Sequence, residues 1–443
     1  MPKGFSRRFG PLVGLGMLGS TIVALTVATL LFLPWRPDTP FVAQALLCGA
    51  LTILATRVAE TCPEREALLV IAAVALILRA ILLAAPPFLS SDVFRYVWDG
   101  RVQAAGINPY RHVPAAPELQ GLRDLAIFPN VNRADYAVTI YPPAAQILFF
   151  LVTRVAESVL AIKIALVAFE ALIVAAVVAL LRRLGRPTAR VVAYAWHPLA
   201  VWEVAGNGHV DAAMTALAVL ALWLFAAGRP LAAGAAAVVG ALVKPFALLV
   251  LPAFWRPWDL KLPLVVLGAV AALYAPYLSV GTGVLGFLPV YVGEERLASG
   301  SGFWLLEVVR ALAGAPHLPT ALYLSASIAV LAALALRAGF RRIRPLVATV
   351  SDINALLLAF LLLLSPDYPW YFLVLVPFVA LIGSWPAWAM TVGALVLYDP
   401  SLFNPEARIQ MRDTLLYATA IAAMVAAAGR AWPARPAPRD ASA

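Results

Sequence analysis

Apolar runs of membrane-spanning length recur along the whole chain, among them Pro11–Leu33, Ala67–Ala85, Val159–Leu181, Leu262–Val280 and Leu318–Leu336. A run of about 20 apolar residues crosses the hydrocarbon core of a bilayer, so each predicts a transmembrane helix. The first three helices are expected at about 11–33, 41–57 and 67–85, followed by a long polar segment, 86–142. A further helix starts after Tyr141-Pro142-Pro143, where the missing proline N–H is not needed. Arg154 and Glu157 come too early for a clean crossing, so this helix either lies along the interface or dips in and returns. The next helix ends at Arg182-Arg183, and short helices flank Gly206-Asn207-Gly208-His209. Residues 231–255 are too short for two crossings, yet Arg229 and Arg256 call for the same side. A hairpin of two half-helices around Lys244-Pro245, buried in protein, satisfies both demands. A second polar loop spans 281–317, and 430–443 is expected to be a disordered tail. The pattern reads as an all-α, polytopic membrane protein with about 11–14 membrane helices in one transmembrane domain, 1–443. No internal repeat or heptad series is visible.

Composition agrees. The chain has 443 residues, 63% hydrophobic and 13% charged, against roughly half apolar and a quarter charged for a soluble domain. The net charge of +10 is explained by its distribution and does not imply nucleic acid. Of 33 Lys and Arg, 19 fall in short segments that alternate on one side: 1–10, 57–66, 182–190, 228–230, 256–261, 337–344 and 430–443. The positive-inside rule makes that side cytoplasmic, with both termini inside a plasma (inner) membrane and loops 86–142 and 281–317 external. The first apolar run follows Lys3, Arg7 and Arg8, but it is too long for a signal peptide and is read as a retained helix. Arg79, Arg154, Lys163 and Lys244 fall inside apolar stretches. Cys48, in a helix, and Cys62, in a cytoplasmic loop, are expected to stay unpaired.

The external loop opens with Ser90-Ser91-Asp92-Val-Phe-Arg95-Tyr96-Val-Trp98-Asp99-Gly100-Arg101. On a helix, Asp92, Arg95, Tyr96 and Asp99 share one face. Asp92 reads either as a reactive carboxylate or as an acid favouring the helix dipole behind a serine cap. Asp99 reads equally as a partner for Arg95 or Arg101. Glu203, His209 and Asp211 straddle a helix break and suit either sugar hydroxyls, a metal ion or capping. Lys244 is costly among apolar residues and needs an anionic partner or a route to water. For Trp370 and Tyr371 an aromatic-belt role is the default, while Tyr110 and Tyr141 suit either sugar stacking or shaping the loop. Glu294, Glu295 and Arg296 read as solvated.

Taken in order, Ser91-Asp92-Val-Phe-Arg-Tyr96, Gly100-Arg101, Gly106-Ile-Asn108-Pro109-Tyr110 and Tyr141-Pro142-Pro143 resemble the first external loop of GT-C superfamily glycosyltransferases. The likeness is closest to bacterial polyprenyl-phosphate-mannose-dependent mannosyltransferases. His197-Pro198-Leu199, Gly206-Asn207-Gly208-His209-Val-Asp211, Leu242-Val243-Lys244-Pro245 and Ser365-Pro366-Asp367-Tyr368-Pro369-Trp370-Tyr371 extend it from residue 67 onward. The resemblance implies transfer of a sugar, mannose by likeness, from a polyprenyl phosphate to an acceptor hydroxyl on a lipid or glycan, with inversion. In that chemistry Asp92 suits the general base. Arg95, Arg101 and Lys244 suit the departing phosphate, and Tyr96, Asp99, Tyr110, Tyr141, His209, Asp211, Asp367 and Tyr368 the wider substrate site. Replacement of Lys244 by Met is expected to weaken donor binding without unfolding. No cofactor is assigned, and a single Ser-Asp in place of Asp-Asp or Asp-x-Asp leaves a divalent metal open. The alternative function is a secondary transporter or flippase, which usually shows two repeated halves. A membrane acyltransferase would want a His-based site, for which only His209 is placed.

Overall fold

A computed structural model describes residues 3–32 and 40–431. These residues are helical or irregular, with no strand among them. Eight of the described helices are long and apolar enough to cross a membrane, and six shorter apolar helices lie between them. Helical backbone is what the bilayer demands, because each N–H and C=O must find its partner inside the segment.

The N-terminal helices are α1 (Lys3–Phe32), α2 (Pro40–Ala59) and α3 (Glu64–Ala84), with α1 packed on both others. Then come α4 (Asp92–Ala104), α5 (Pro143–Val155) and α6 (Val159–Arg183). Apart from α1, which starts eight residues earlier than expected, the boundaries hold to within a few residues, and α5 is the short helix that Arg154 and Glu157 foreshadowed. The helix Asp211–Ala226 packs between α6 and the helix Pro230–Ala241. The predicted hairpin is present: Pro230–Ala241 ends just before Lys244, and a 3-10 turn, Pro245–Val250, returns the chain. Of the expected tail, residues 430–431 still belong to the helix Met411–Ala431, and the rest lies outside the described residues.

Charges inside apolar stretches have protein partners. The Arg79 guanidinium meets both carboxylate oxygens of Glu170 and the Ala195 carbonyl, all buried. Lys163 Nζ donates to the Leu82 and Ala85 carbonyls, each at 2.7 Å, at the C-terminus of α3, where a cation complements the helix dipole. Cys48 and Cys62 are free.

The segments that share one side by charge also meet in space. Arg190 pairs with Glu60 at 2.5 Å, and Arg256 donates to the Arg341 carbonyl at 2.8 Å. At the other end the two long loops dock together. Phe287 N donates to Thr139 O at 3.1 Å, and Arg133 pairs with Glu294 at 2.8 Å. Gly286 makes this docking possible: its φ is +57°, and a Cβ there would fall 2.0 Å from the Thr139 carbonyl oxygen.

Candidate functional site

Where the loops meet, a cavity of about 550 Å³ opens between the start of α4, residues 132–142, Lys244–Phe246, residues 287–297 and residues 364–371. Asp92 is the first residue of α4 and stands on its wall. Ser90 Oγ accepts the Asp92 N–H at 3.2 Å, the N-cap residue Ser91 makes no side-chain capping bond, and the Asp92 carboxylate faces the cavity. Asn132 Nδ2 donates to Asp92 Oδ1 at 2.7 Å, and Tyr141 Oη donates to Oδ2 at 3.3 Å. The nearest cation-capable group is His209 Nδ1, at 4.0 Å from Oδ2.

Asp99, by contrast, is buried against Arg95 Nε at 2.8 Å and accepts from Gln146 Nε2 at 2.9 Å. The Arg95 guanidinium is completed by the Ala137 carbonyl. Arg95 reaches the cavity wall with three of its five N–H donors engaged, and Asp99 is its buried partner. Tyr96 stacks on Phe149 with centroids 4.5 Å apart, which sets the height of Tyr141 above Asp92. Tyr110 donates its hydroxyl to the Tyr141 carbonyl at 2.7 Å, so it shapes the loop and does not reach the cavity.

Arg101 is a correction. It was expected at the donor phosphate, yet it lies off the cavity, with Glu157 at 2.6 Å, Asp124 at 2.5 Å and the Leu122 carbonyl at 2.8 Å. Three acceptors engage its fork, and it staples the loop to the α5–α6 junction. The Arg101 hydrogen bond holds the Asp124 carboxyl down at about 2. That contribution is complete above the ordinary carboxylate range near 4 and is lost only as pH falls through about 2. Arg101→Ala should therefore release the loop: protease cleavage within 105–142 rises, with a loss of about 1–3 kcal/mol in thermal unfolding.

The break after the helical turn Val201–Gly206 is built around Glu203. This turn is π-helical, a form that often marks functional sites. Glu203 accepts from Tyr398 Oη at 2.9 Å and from Asn207 Nδ2 at 3.1 Å, and Asn207 Oδ1 accepts from Leu89 N. That chain of bonds ties the break to the strap leading into α4. Gly208, with φ +73°, is needed because a Cβ would meet Val93 at 3.0 Å and Lys163 at 3.1 Å. His209 is 1% exposed and stacks on Trp370 at 4.1 Å, with Nε2 3.4 Å from Glu203. Asp92 and Glu203 approach opposite ring nitrogens, so one ion cannot join all three. No three His, Cys, Asp or Glu groups among the described residues are arranged to hold a metal ion.

Asp211 opens its helix and pairs with Lys244 Nζ at 2.8 and 3.0 Å. Lys244 lines the cavity and lies 4.0 Å over the Tyr371 ring. Its anionic partner is thus already supplied by the protein. Asp367 and Tyr368 are on the wall as expected. Burial raises the Asp367 carboxyl above its usual range, against the pull of Arg412 and Arg296. Asn132, Arg133 and Glu295 were missed as site residues. The solvated reading holds for Glu294 and Arg296, which are exposed, and fails for Glu295: the second loop folds back through the Glu294–Arg133 pair, and Glu295 lines the cavity, where burial raises its carboxyl. The only signal for them was their place in polar loops.

A cavity fed by a carboxylate, cations and aromatic rings, set at one end of a polytopic helical bundle, is the build of a membrane-embedded transferase of the GT-C type. Residues 13–260, more than half of the chain, match the family model of alpha-(1->6)-mannopyranosyltransferase, N-terminal domain (the MptA/B family). The chain belongs to this family and is a membrane mannosyltransferase, acting with a sugar donor and a glycan acceptor. No curated protein and no solved structure matches it.

Proposed function

We propose that the protein takes mannose from a polyprenyl-phosphate donor and gives it to an acceptor hydroxyl on the external face, inverting the anomeric carbon, with Asp92 as general base. The observation that carries this reading is the setting of Asp92. Among the described residues it is a cavity carboxylate bonded only by neutral donors, on the rigid first turn of a helix. A general base must keep a lone pair and a negative charge available. In the step, the acceptor oxygen bonds to C1 as its proton passes to Asp92. The C1–O bond to the phosphate breaks, and the electron pair leaves with the phosphate, which is weakly basic and needs no acid.

Positive partners offset the charge that builds on that phosphate. Lys244 keeps one of its three donors beyond the two directed at Asp211. Arg133, half-exposed and on the same wall, is a second cation and replaces Arg101 in that role. The apolar part of the wall, including Val243, Phe246, Leu288 and Val292, suits the prenyl chain. Purified protein in vesicles, given radiolabelled polyprenyl-phosphate mannose and a mannoside acceptor, should yield labelled mannoside.

External placement of the site has its own test. Single cysteines in 86–142 of a Cys-less variant should react with an impermeant reagent on intact cells, and those in 182–190 or 337–344 should not. Labelling of 337–344 from outside reverses the orientation.

A further inference from the structure

A second cavity, of about 480 Å³, adjoins the first. The two share a wall made by Leu89, Arg133, Glu295, Asp367, Tyr368 and Trp370. Its chemistry differs. Three guanidinium groups (Arg133, Arg296, Arg412) face three carboxylates (Glu294, Glu295, Asp367), so the formal charges cancel. A net-neutral surface of that kind does not select for a phosphate. It does suit a polyol, whose hydroxyls donate to carboxylates and accept from guanidiniums.

Two further features point to a ligand. The pairs around Asp367 are long, 3.9 Å to Arg296 and 3.8 Å to Arg412, beyond hydrogen-bond length. The Arg412 Nε atom is buried with no hydrogen-bond partner among the described residues, and its nearest carboxylate, Asp413, stands 3.7 Å away. Polar atoms held apart in this way are satisfied when hydroxyls come between them. The cavity also offers apolar ring faces for the C–H face of a pyranose: the outer face of Tyr368, whose other face stacks on Trp370 at 4.7 Å, and Phe403, 40% exposed with Arg412 4.5 Å over its ring.

We propose that this second cavity binds the neutral oligosaccharide chain of the acceptor. The proposal rests on the transfer reading above and assigns that reading's acceptor side. A chain lying here presents its terminal hydroxyl across the shared wall into the cavity that holds Asp92. Arg296, Asp367, Phe403 and Arg412 all lie beyond the family match at 13–260. The matched part therefore carries the reacting groups, and the remainder of the chain selects the acceptor.

The test uses the purified full chain with polyprenyl-phosphate mannose and an α-(1→6)-linked mannotriose. Phe403 and the Arg296 side chain are both exposed on the rim, so Phe403→Ala and Arg296→Gln should fold normally. Each should raise the acceptor KM roughly tenfold, about 1.4 kcal/mol, and leave donor KM and kcat within about twofold. Phe403→Tyr keeps an aromatic face and should keep the acceptor KM. An unchanged acceptor KM, or a rise in donor KM instead, overturns the assignment. Calorimetric titration with the mannotriose alone separates the two claims. If the wild type transfers nothing from polyprenyl-phosphate mannose yet binds mannotriose through Phe403 and Arg296, the cavity assignment stands and the transfer reading falls. If the wild type transfers but neither variant alters mannotriose binding, the cavity assignment falls and the transfer reading stands.

Discussion

Asp92→Asn should express, insert and bind donor normally, yet transfer sugar about two to four orders of magnitude more slowly, the usual cost of losing a positioned base. The substitution is nearly isosteric. Asparagine Oδ1 still accepts from Asn132, and its amide nitrogen faces the Tyr141 hydroxyl, which accepts as readily as it donates. Among the described residues no ion pair shorter than 4.0 Å is broken, so the fold has no reason to change. Asp99→Asn makes the contrast. It removes the charge opposite the buried Arg95 and should cost about 3–5 kcal/mol of stability, so its loss of activity tracks loss of folded protein. Glu295→Gln tests the other cavity carboxylate without a cation in contact and should retain most of the rate. Single-turnover rates on folded, donor-saturated protein distinguish the three. A near-normal rate for Asp92→Asn with a dead Glu295→Gln moves the base to the second loop.

Lys244→Met should destabilise the protein by about 3–5 kcal/mol, because it strands Asp211 without a cation. Asp211 is 1% exposed and pairs with Lys244 through both oxygens. This reverses the expectation, drawn from the sequence, that the single substitution leaves the fold intact. The double variant Asp211→Asn/Lys244→Met removes both charges and should recover most of the melting temperature, a coupling that a double-mutant cycle reads directly. What the double variant should not recover is the donor: its donor KM should rise at least tenfold if Lys244 faces the phosphate. A stable double variant with an unchanged donor KM would confine Lys244 to structure and leave Arg133 as the phosphate cation.

The crossings, the short helix after the two prolines and the hairpin at Lys244 were legible because each is written in a local pattern: apolar length, proline position, arginine placement. The first turn of α4 was legible too, since Asp92, Arg95, Tyr96 and Asp99 follow helical spacing. Their division of labour was not. Whether Asp92 or Asp99 is free depends on Asn132, Ala137 and Gln146, which lie about 40 residues away along the chain and carry no periodic signal. Arg101 looked like a phosphate ligand because its acceptors, Asp124 and Glu157, are invisible until the loop folds back on α5. Glu295 looked solvated for the same reason, as its burial comes from the docking of two loops about 150 residues apart. Arg79 and Lys163, odd in apolar stretches, turned out to be matched by Glu170 and by the carbonyls that end α3.

The central claim is that the cavity of Asp92 performs inverting transfer from a lipid phosphate. Its most direct measurement is the anomeric configuration of the product formed by purified protein from polyprenyl-phosphate mannose of known configuration and a mannoside acceptor. Covalent mannose in the product, with configuration opposite to that of the donor, is the expected result. Retained configuration, or movement of the lipid-linked sugar across the vesicle membrane with no new glycosidic bond, would contradict it.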